Sequence, residues 1–141
     1  MIPKFRAWIS TEKRMVETDD LLGIDYENEE IITQEIYFES GLPVERDIDN
    51  YDFDDIVLMQ STGLKDKNGK EIFEGDVVTF EDEIRCGDDL DIFLNIGVVE
   101  YGQGMFYISN RQSVCADDLL DGEMWDVEVI GNIYENPELI E

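Results

Sequence analysis

The chain has 141 residues, 36 acids against 10 bases, no histidine, and a formal net charge of −26 at pH 7. Its length suits one domain with a real hydrophobic core. The charge repels phosphate backbones, which disfavours direct DNA or RNA binding, and the missing histidine excludes Ser-His-Asp triads, Cys-His dyads and histidine-ligated metals.

The acid is unevenly placed. Residues 17–56 hold fifteen acids against Arg46 alone, and residues 117–141 hold nine acids and no base. Such a surface attracts basic proteins, through a field that salt screens over ~8–10 Å. No stretch reaches the ~18 apolar residues of a membrane helix. Ala7-Trp8-Ile9 is too short for a signal-peptide core, so a cytoplasmic protein without a membrane is expected. Cys86 and Cys115, with no CxxC pair, are expected buried or free rather than bridged or zinc-bound.

Strand signals dominate from the start. Lys4–Ile9 reads as a short apolar-aromatic strand, and Thr11-Glu12-Lys13 as a turn before Met15-Val16. In Ile31–Phe38, Ile32, Ile36 and Phe38 share one face at period two, with Glu35, Tyr37 and Glu39 on the other. This predicts a half-buried strand, a helix opened by Glu29-Glu30 being the alternative. Gly41-Leu42-Pro43 breaks the element, and Asp47–Asp55 (DIDNYDFDD) reads as an exposed acidic loop. That loop links a variable acidic front part, 1–56, to a β-rich back part, 57–141, within one domain.

In the back part, Val57–Met59 is followed by turn residues Ser61–Gly63 and a lysine-rich tip, Lys65–Lys70. There Asn68-Gly69 predicts a type I′ hairpin turn. Gly75-Asp76 turns the chain into Val77–Glu81, and Gly102-Gln103-Gly104 joins strands at Ile92–Tyr101 and Met105–Ser109. Ser113–Leu120 predicts a helical turn or two, and Trp125–Tyr134 a closing strand. The fold class is mainly β: short antiparallel strands, an SH3-like or related small barrel in the C-terminal half, and minor helix.

Three segments resemble a known family. They are Val57–Val78 (VLMQSTGLKDKNGKEIFEGDVV), Lys4–Met15 (KFRAWISTEKRM) and Val129–Leu139 (VIGNIYENPEL), and they are similar to the YopX-like family of small bacteriophage and prophage proteins. Residues 17–56 and 81–120 share little with it. The resemblance implies a phage or prophage origin and a life in the cytoplasm of a bacterial host. It implies no catalytic residue. Gly63, Gly69 and Gly75 suit turns, and Leu58, Phe73 and Val77 suit a core.

Residue chemistry points the same way. An EF-hand loop needs oxygen ligands at positions 1, 3 and 5, glycine at 6 and glutamate at 12. Started at Asp47 or at Asp66 the pattern fails, with Tyr51 or Lys70 at position 5. No metal or cofactor is expected. Carboxylate catalysis needs a cleft that holds its substrate, and ten scattered bases outline none for an anion. The lysines Lys65, Lys67 and Lys70 lie beside Asp66, Glu71 and Glu74, as on a solvated hairpin tip. The aromatics Phe5, Trp8, Phe73, Phe80, Phe93, Phe106, Tyr107 and Trp125 read as core rather than as base-stacking platforms.

What remains is the acid itself. Asp47, Asp49, Asp52, Asp54 and Asp55 are the candidate acidic interaction surface, with Asp82, Glu83, Asp88, Asp89 and Asp91 second. The function expected is non-enzymatic: a protein-interaction or self-assembly module with an unidentified protein partner or further copies of itself. The alternatives are an acidic DNA mimic that inhibits a host DNA-binding protein, and a cryptic enzyme.

Overall fold

A computed structural model of the chain describes residues 2–110, 118–119 and 126–140, with the backbone alone at 82–86, 110, 118 and 119. The chain divides into two compact units, Ile2–Gln60 and Ser61–Glu141. It is mainly β, with curled antiparallel sheets that include a half-barrel.

In the first unit, β1 (Phe5–Ile9) buries Ala7 and Ile9. A polar turn with Lys13 at φ 51° reverses the chain into β2 (Arg14–Val16). On its other side β1 pairs antiparallel with residues 56–60 of β6 (Ile56–Lys65). A 3-10 turn at Thr18–Asp20 leads into β3 (Leu21–Asp25), and the Thr18 hydroxyl donates to the Phe5 carbonyl at 2.9 Å. Then β4 (Glu30–Glu39) and β5 (Leu42–Asp52) complete an antiparallel sheet ordered β3-β4-β5. Ala7, Ile9, Val16 and Ile31 form the core, with Leu21, Ile24, Tyr51, Phe53, Ile56 and Leu58 packed around them.

Two expectations for this unit need correcting. Residues 31–38 are strand, as expected, and not the alternative helix, as β-branched Ile31, Ile32, Thr33 and Ile36 favour, but the face it buries is not the one expected. The alternation is as read, yet burial follows the opposite parity: Ile31 and Thr33 are buried, while Phe38 is 64 % exposed. Only the base of β4 lies on the core, so the core takes the two residues that face it there. The acidic stretch is no loop either. Asp47–Asp52 belong to β5, and Phe53–Asp55 form a 3-10 turn. Charge bars a segment from a core, but it does not bar it from a solvated strand whose ladder bonds go to a neighbour.

The β4–β5 connection is the two-residue turn Ser40-Gly41, with φ 53° and 81°. Both central residues at positive φ is the type I′ pattern. Asn68-Gly69, where that turn was expected, differs, because only Gly69 has positive φ (84°). The Gly69 N–H donates to the Asp66 carbonyl (3.0 Å) and the Asp66 N–H to the Lys70 carbonyl (2.8 Å). This is a type I turn closed by a left-handed glycine, the usual three-residue hairpin loop.

In the second unit that tip joins β6 to β7 (Glu71–Phe73). Ser61–Gly63 is not a turn, since β6 runs through it with an irregular register between Ser61 and Lys65. The Ser61 hydroxyl accepts from the Gly63 N–H, and the Thr62 hydroxyl accepts from the Leu64 N–H while donating to the Ile72 carbonyl at 2.8 Å. Polar side chains there take up backbone groups that a straight ladder would have paired.

The strands β8 (Asp76–Cys86), β9 (Asp89–Gly102), β10 (Met105–Asn110) and β11 (Asp118–Leu119) follow as a meander. β12 (Glu128–Asn132) returns to pair with β8, giving the order β11-β10-β9-β8-β12. The core holds Ile72, Val78, Phe80, Val99, Ile108 and Val127. Of the expected helical turn at Ser113–Leu120, Asp118 and Leu119 are strand, and the rest lies outside the described residues, as do Cys115, Trp125 and the side chain of Cys86. Among the described residues helix is limited to 3-10 turns, the last at Pro137–Ile140.

Candidate functional site

The outer part of the β4–β5 hairpin carries the candidate acids. Directly paired residues share a face of an antiparallel ribbon. The pairs Thr33–Asp49, Glu35–Asp47 and Tyr37–Glu45 therefore put Glu35, Glu45, Asp47 and Asp49 on one face, around Tyr37. The pairs Ile32–Asn50, Gln34–Ile48 and Ile36–Arg46 form the other. Glu35 foremost, then lost hydration and the Asp47 carboxylate, push the Tyr37 phenol above its ordinary pKa. Two carboxylates against one phenol oppose its ionisation.

Residues 42–50 of β5 are all exposed, so the opposite face presents apolar side chains to solvent. Ile48, 55 % exposed, and Phe38, 64 % exposed, lie on it, while near the turn Leu42, 68 % exposed, pairs with Glu39 on the acidic face, and Val44 is 59 % exposed. Val44 has no partner, because Phe38 pairs with Pro43 and Tyr37 with Glu45, which makes it the bulge residue. β5 is the last strand of its sheet, with no strand beyond it among the described residues.

The five candidate aspartates thus separate. Asp47 and Asp49 stand in one row, while Asp52 falls on the opposite face. Asp54 and Asp55 belong to the 3-10 turn, where the Asp55 carbonyl accepts from the Ser10 N–H at 2.9 Å. Asp52 and Asp54 line a small open cleft of ≈ 240 Å³ with Asn28, Glu29 and Phe53. The row is completed by Glu35 and Glu45, which the sequence reading left out although Glu45-Arg46-Asp47-Ile48-Asp49 alternates at period two.

The second acidic group sits on the β8–β9 hairpin. Asp88 is in its Gly87-Asp88 turn and Asp89 and Asp91 are exposed on β9, whereas Asp82 and Glu83 are in β8 with side chains outside the description. Leu90, Ile92 and Leu94 alternate with them and are also exposed. At the lysine tip, the Lys67 ammonium lies 3.2 Å from the Glu128 carboxylate and Lys65 pairs across the ladder with Glu71, so these charges are locally compensated.

The tip is held by Asp66. Its Oδ1 accepts from the N–H groups of Asn68 and Lys70, both at 2.9 Å, and its Oδ2 from the Val129 N–H at 3.0 Å. Burial alone would push this carboxyl up, but the N–H groups of Val129, Lys70 and Asn68, with the Lys70 charge, outweigh it and hold the pKa below the ordinary value. This carboxylate is used up in fixing β12 to the hairpin. Among the described residues no three cysteine, aspartate or glutamate side chains are grouped to hold a metal, and no helix is long and apolar enough to cross a membrane.

Comparison with known proteins places this arrangement in a family. No curated protein matches the chain. Among solved structures, the crystal structure of protein EF1440 from Enterococcus faecalis is similar, with 36 % identity and a TM-score of 0.62 over 100 % of this chain and 99 % of that one. The family model described as YopX protein matches residues 4–141, taking in the three segments that carried the resemblance and the hairpins between them, and the chain belongs to the YopX family.

Proposed function

We propose that this chain is a non-enzymatic protein-interaction module of a bacteriophage or prophage, working in the cytoplasm of the bacterial host, with the β4–β5 hairpin as its contact element. The observation that carries this reading is an outer hairpin with a row of carboxylates on one face, exposed Phe38 and Ile48 on the other, and exposed Leu42 and Val44 near its turn. Exposed Phe38, Leu42, Val44 and Ile48 add nothing to the core and invite aggregation, so their placement together is accounted for by a surface that another protein covers. The acids select a basic partner and raise its rate of encounter.

The test is capture of host proteins by the purified chain at low and high salt, with Ile48→Ser and the double variant Asp47→Asn/Asp49→Asn in parallel. A partner retained by the parent, lost with Ile48→Ser, and made salt-insensitive but weaker by the aspartate changes is the expected result. Equal capture by all three proteins overturns the assignment of the hairpin.

A second reading, DNA mimicry, rests on the shared face of Glu35, Glu45, Asp47 and Asp49. Alternate residues of a strand are ~6.8 Å apart, so this row runs ~14 Å from Glu45 to Asp49. Duplex DNA presents about eight charges over that length, twice what the row offers. Mimicry therefore stands second. It requires that excess duplex DNA release the captured protein.

A further inference from the structure

We infer that the free edge of β5 is a template for strand addition, and that its occupant is an extended segment of a partner protein in which basic and apolar residues alternate. This deepens the interaction reading above and rests on it.

Several features of β5 converge. It is an edge strand of eleven residues, and from Glu35 outwards on β4 the hairpin is a two-stranded ribbon, because β3 pairs only with residues 30–33. Two-stranded ribbons are marginal in water and gain most from a third strand. An unpaired edge offers a row of backbone donors and acceptors for that strand. Pro43 lacks an N–H and Val44 is bulged, which confines the template to Glu45–Asp52. Within it Glu45, Asp47 and Asp49 point to one face and Ile48 to the other.

Charge decides the occupant. A second copy pairing antiparallel with β5 about Asp47 would set Asp47 against Asp47 and Glu45 against Asp49. Like charges directly opposite one another destabilise a ladder, and two subunits at −26 repel one another besides. An incoming strand with lysine or arginine at alternate positions turns each of those oppositions into a favourable pair. Its intervening apolar residues flank Ile48.

Hydrogen exchange on the full chain tests this, using a capped octapeptide of alternating lysine and valine as the probe. The expected result is slowed exchange of the amides in Glu45–Asp52. A block peptide of four lysines then four valines, and an alternating glutamate–valine peptide, should have no such effect. Methylating the peptide's backbone nitrogens at the lysines, or at the valines, should abolish the effect in one series and spare it in the other, because only one set of amides faces β5. The variant Asp47→Asn/Asp49→Asn should weaken the alternating peptide roughly two- to thirtyfold, the range for two cross-strand charge pairs. Equal protection by the block peptide means charge adsorption and overturns strand addition. So does protection elsewhere with none in β5, or no protection at millimolar peptide. Hairpin-dependent capture of a host protein without β5 protection leaves the interaction reading standing and removes strand addition alone; failure of both removes both.

Discussion

Asp66 shows how much one side chain can fix. Its two oxygens serve three backbone N–H groups, two at the hairpin tip and one on β12. Asp66→Asn replaces one acceptor oxygen by a donor, leaving at least one N–H opposed, and should cost about 1–3 kcal/mol in urea unfolding at neutral pH. Because the folded pKa is depressed, that stability is present above the unfolded-state value near 3.8 and is lost as the pH falls through the lower folded value. The gap between parent and variant should therefore close in acid. Tyr37 gives a second residue-scale outcome. Its phenol is pushed up mainly by Glu35, so Glu35→Gln should lower the Tyr37 pKa towards the ordinary value, as followed by NMR of the labelled ring. Neither effect is visible in the sequence as such: Asp66 reads there as a turn residue, and its reach to Val129 spans 63 positions.

At the level of elements, turn chemistry was legible in kind but not in location. A hairpin tip was expected at Asn68-Gly69 and found, yet the type I′ pattern belongs to Ser40-Gly41 and Gln103-Gly104, where both residues have positive φ. The reason is Asp66, whose carboxylate collects the tip's N–H groups and favours a type I turn. Gly69→Ala should thus cost about 1–2 kcal/mol, the strain of a left-handed alanine, whereas Asn68→Ala, at ordinary φ, should stay within about half a kcal/mol. Thermal unfolding of the two variants separates these cases. Strand β5 was missed for a related reason. Its composition describes exposure correctly, but exposure does not distinguish a loop from a ribbon, and the partner that makes it a strand is β4, joined through only two residues.

For the whole molecule, the charge has a thermodynamic consequence. With 26 excess negative charges the compact state repels itself, so added salt should stabilise it. The midpoint of thermal unfolding should rise between about 10 and 150 mM sodium chloride, where the Debye length falls from ~30 to ~8 Å. A chain held chiefly by surface ion pairs would show the opposite trend. The cores explain why the acid is tolerated: each unit buries a compact apolar set, Ala7, Ile9, Val16 and Ile31 in one and Ile72, Val78, Phe80, Val99, Ile108 and Val127 in the other. Among the described residues the buried carboxylates Asp66 and Asp76 are bonded to backbone N–H groups, and the acids of the β4–β5 hairpin stand in solvent.

The sequence by itself determined the class of protein. Alternating apolar residues, glycine turns and the segments 4–15, 57–78 and 129–139 were enough for a mainly β fold and for the family, because period and turn chemistry are local properties of the chain. Charge and missing histidine narrowed the chemistry in the same way. Only the tertiary structure decided which parity of β4 meets the core, that Glu35 and Glu45 join Asp47 and Asp49 on one face, and that β5 is the last strand of its sheet among the described residues. Those facts depend on which strands become neighbours, and neighbours are chosen by packing between residues far apart in the chain.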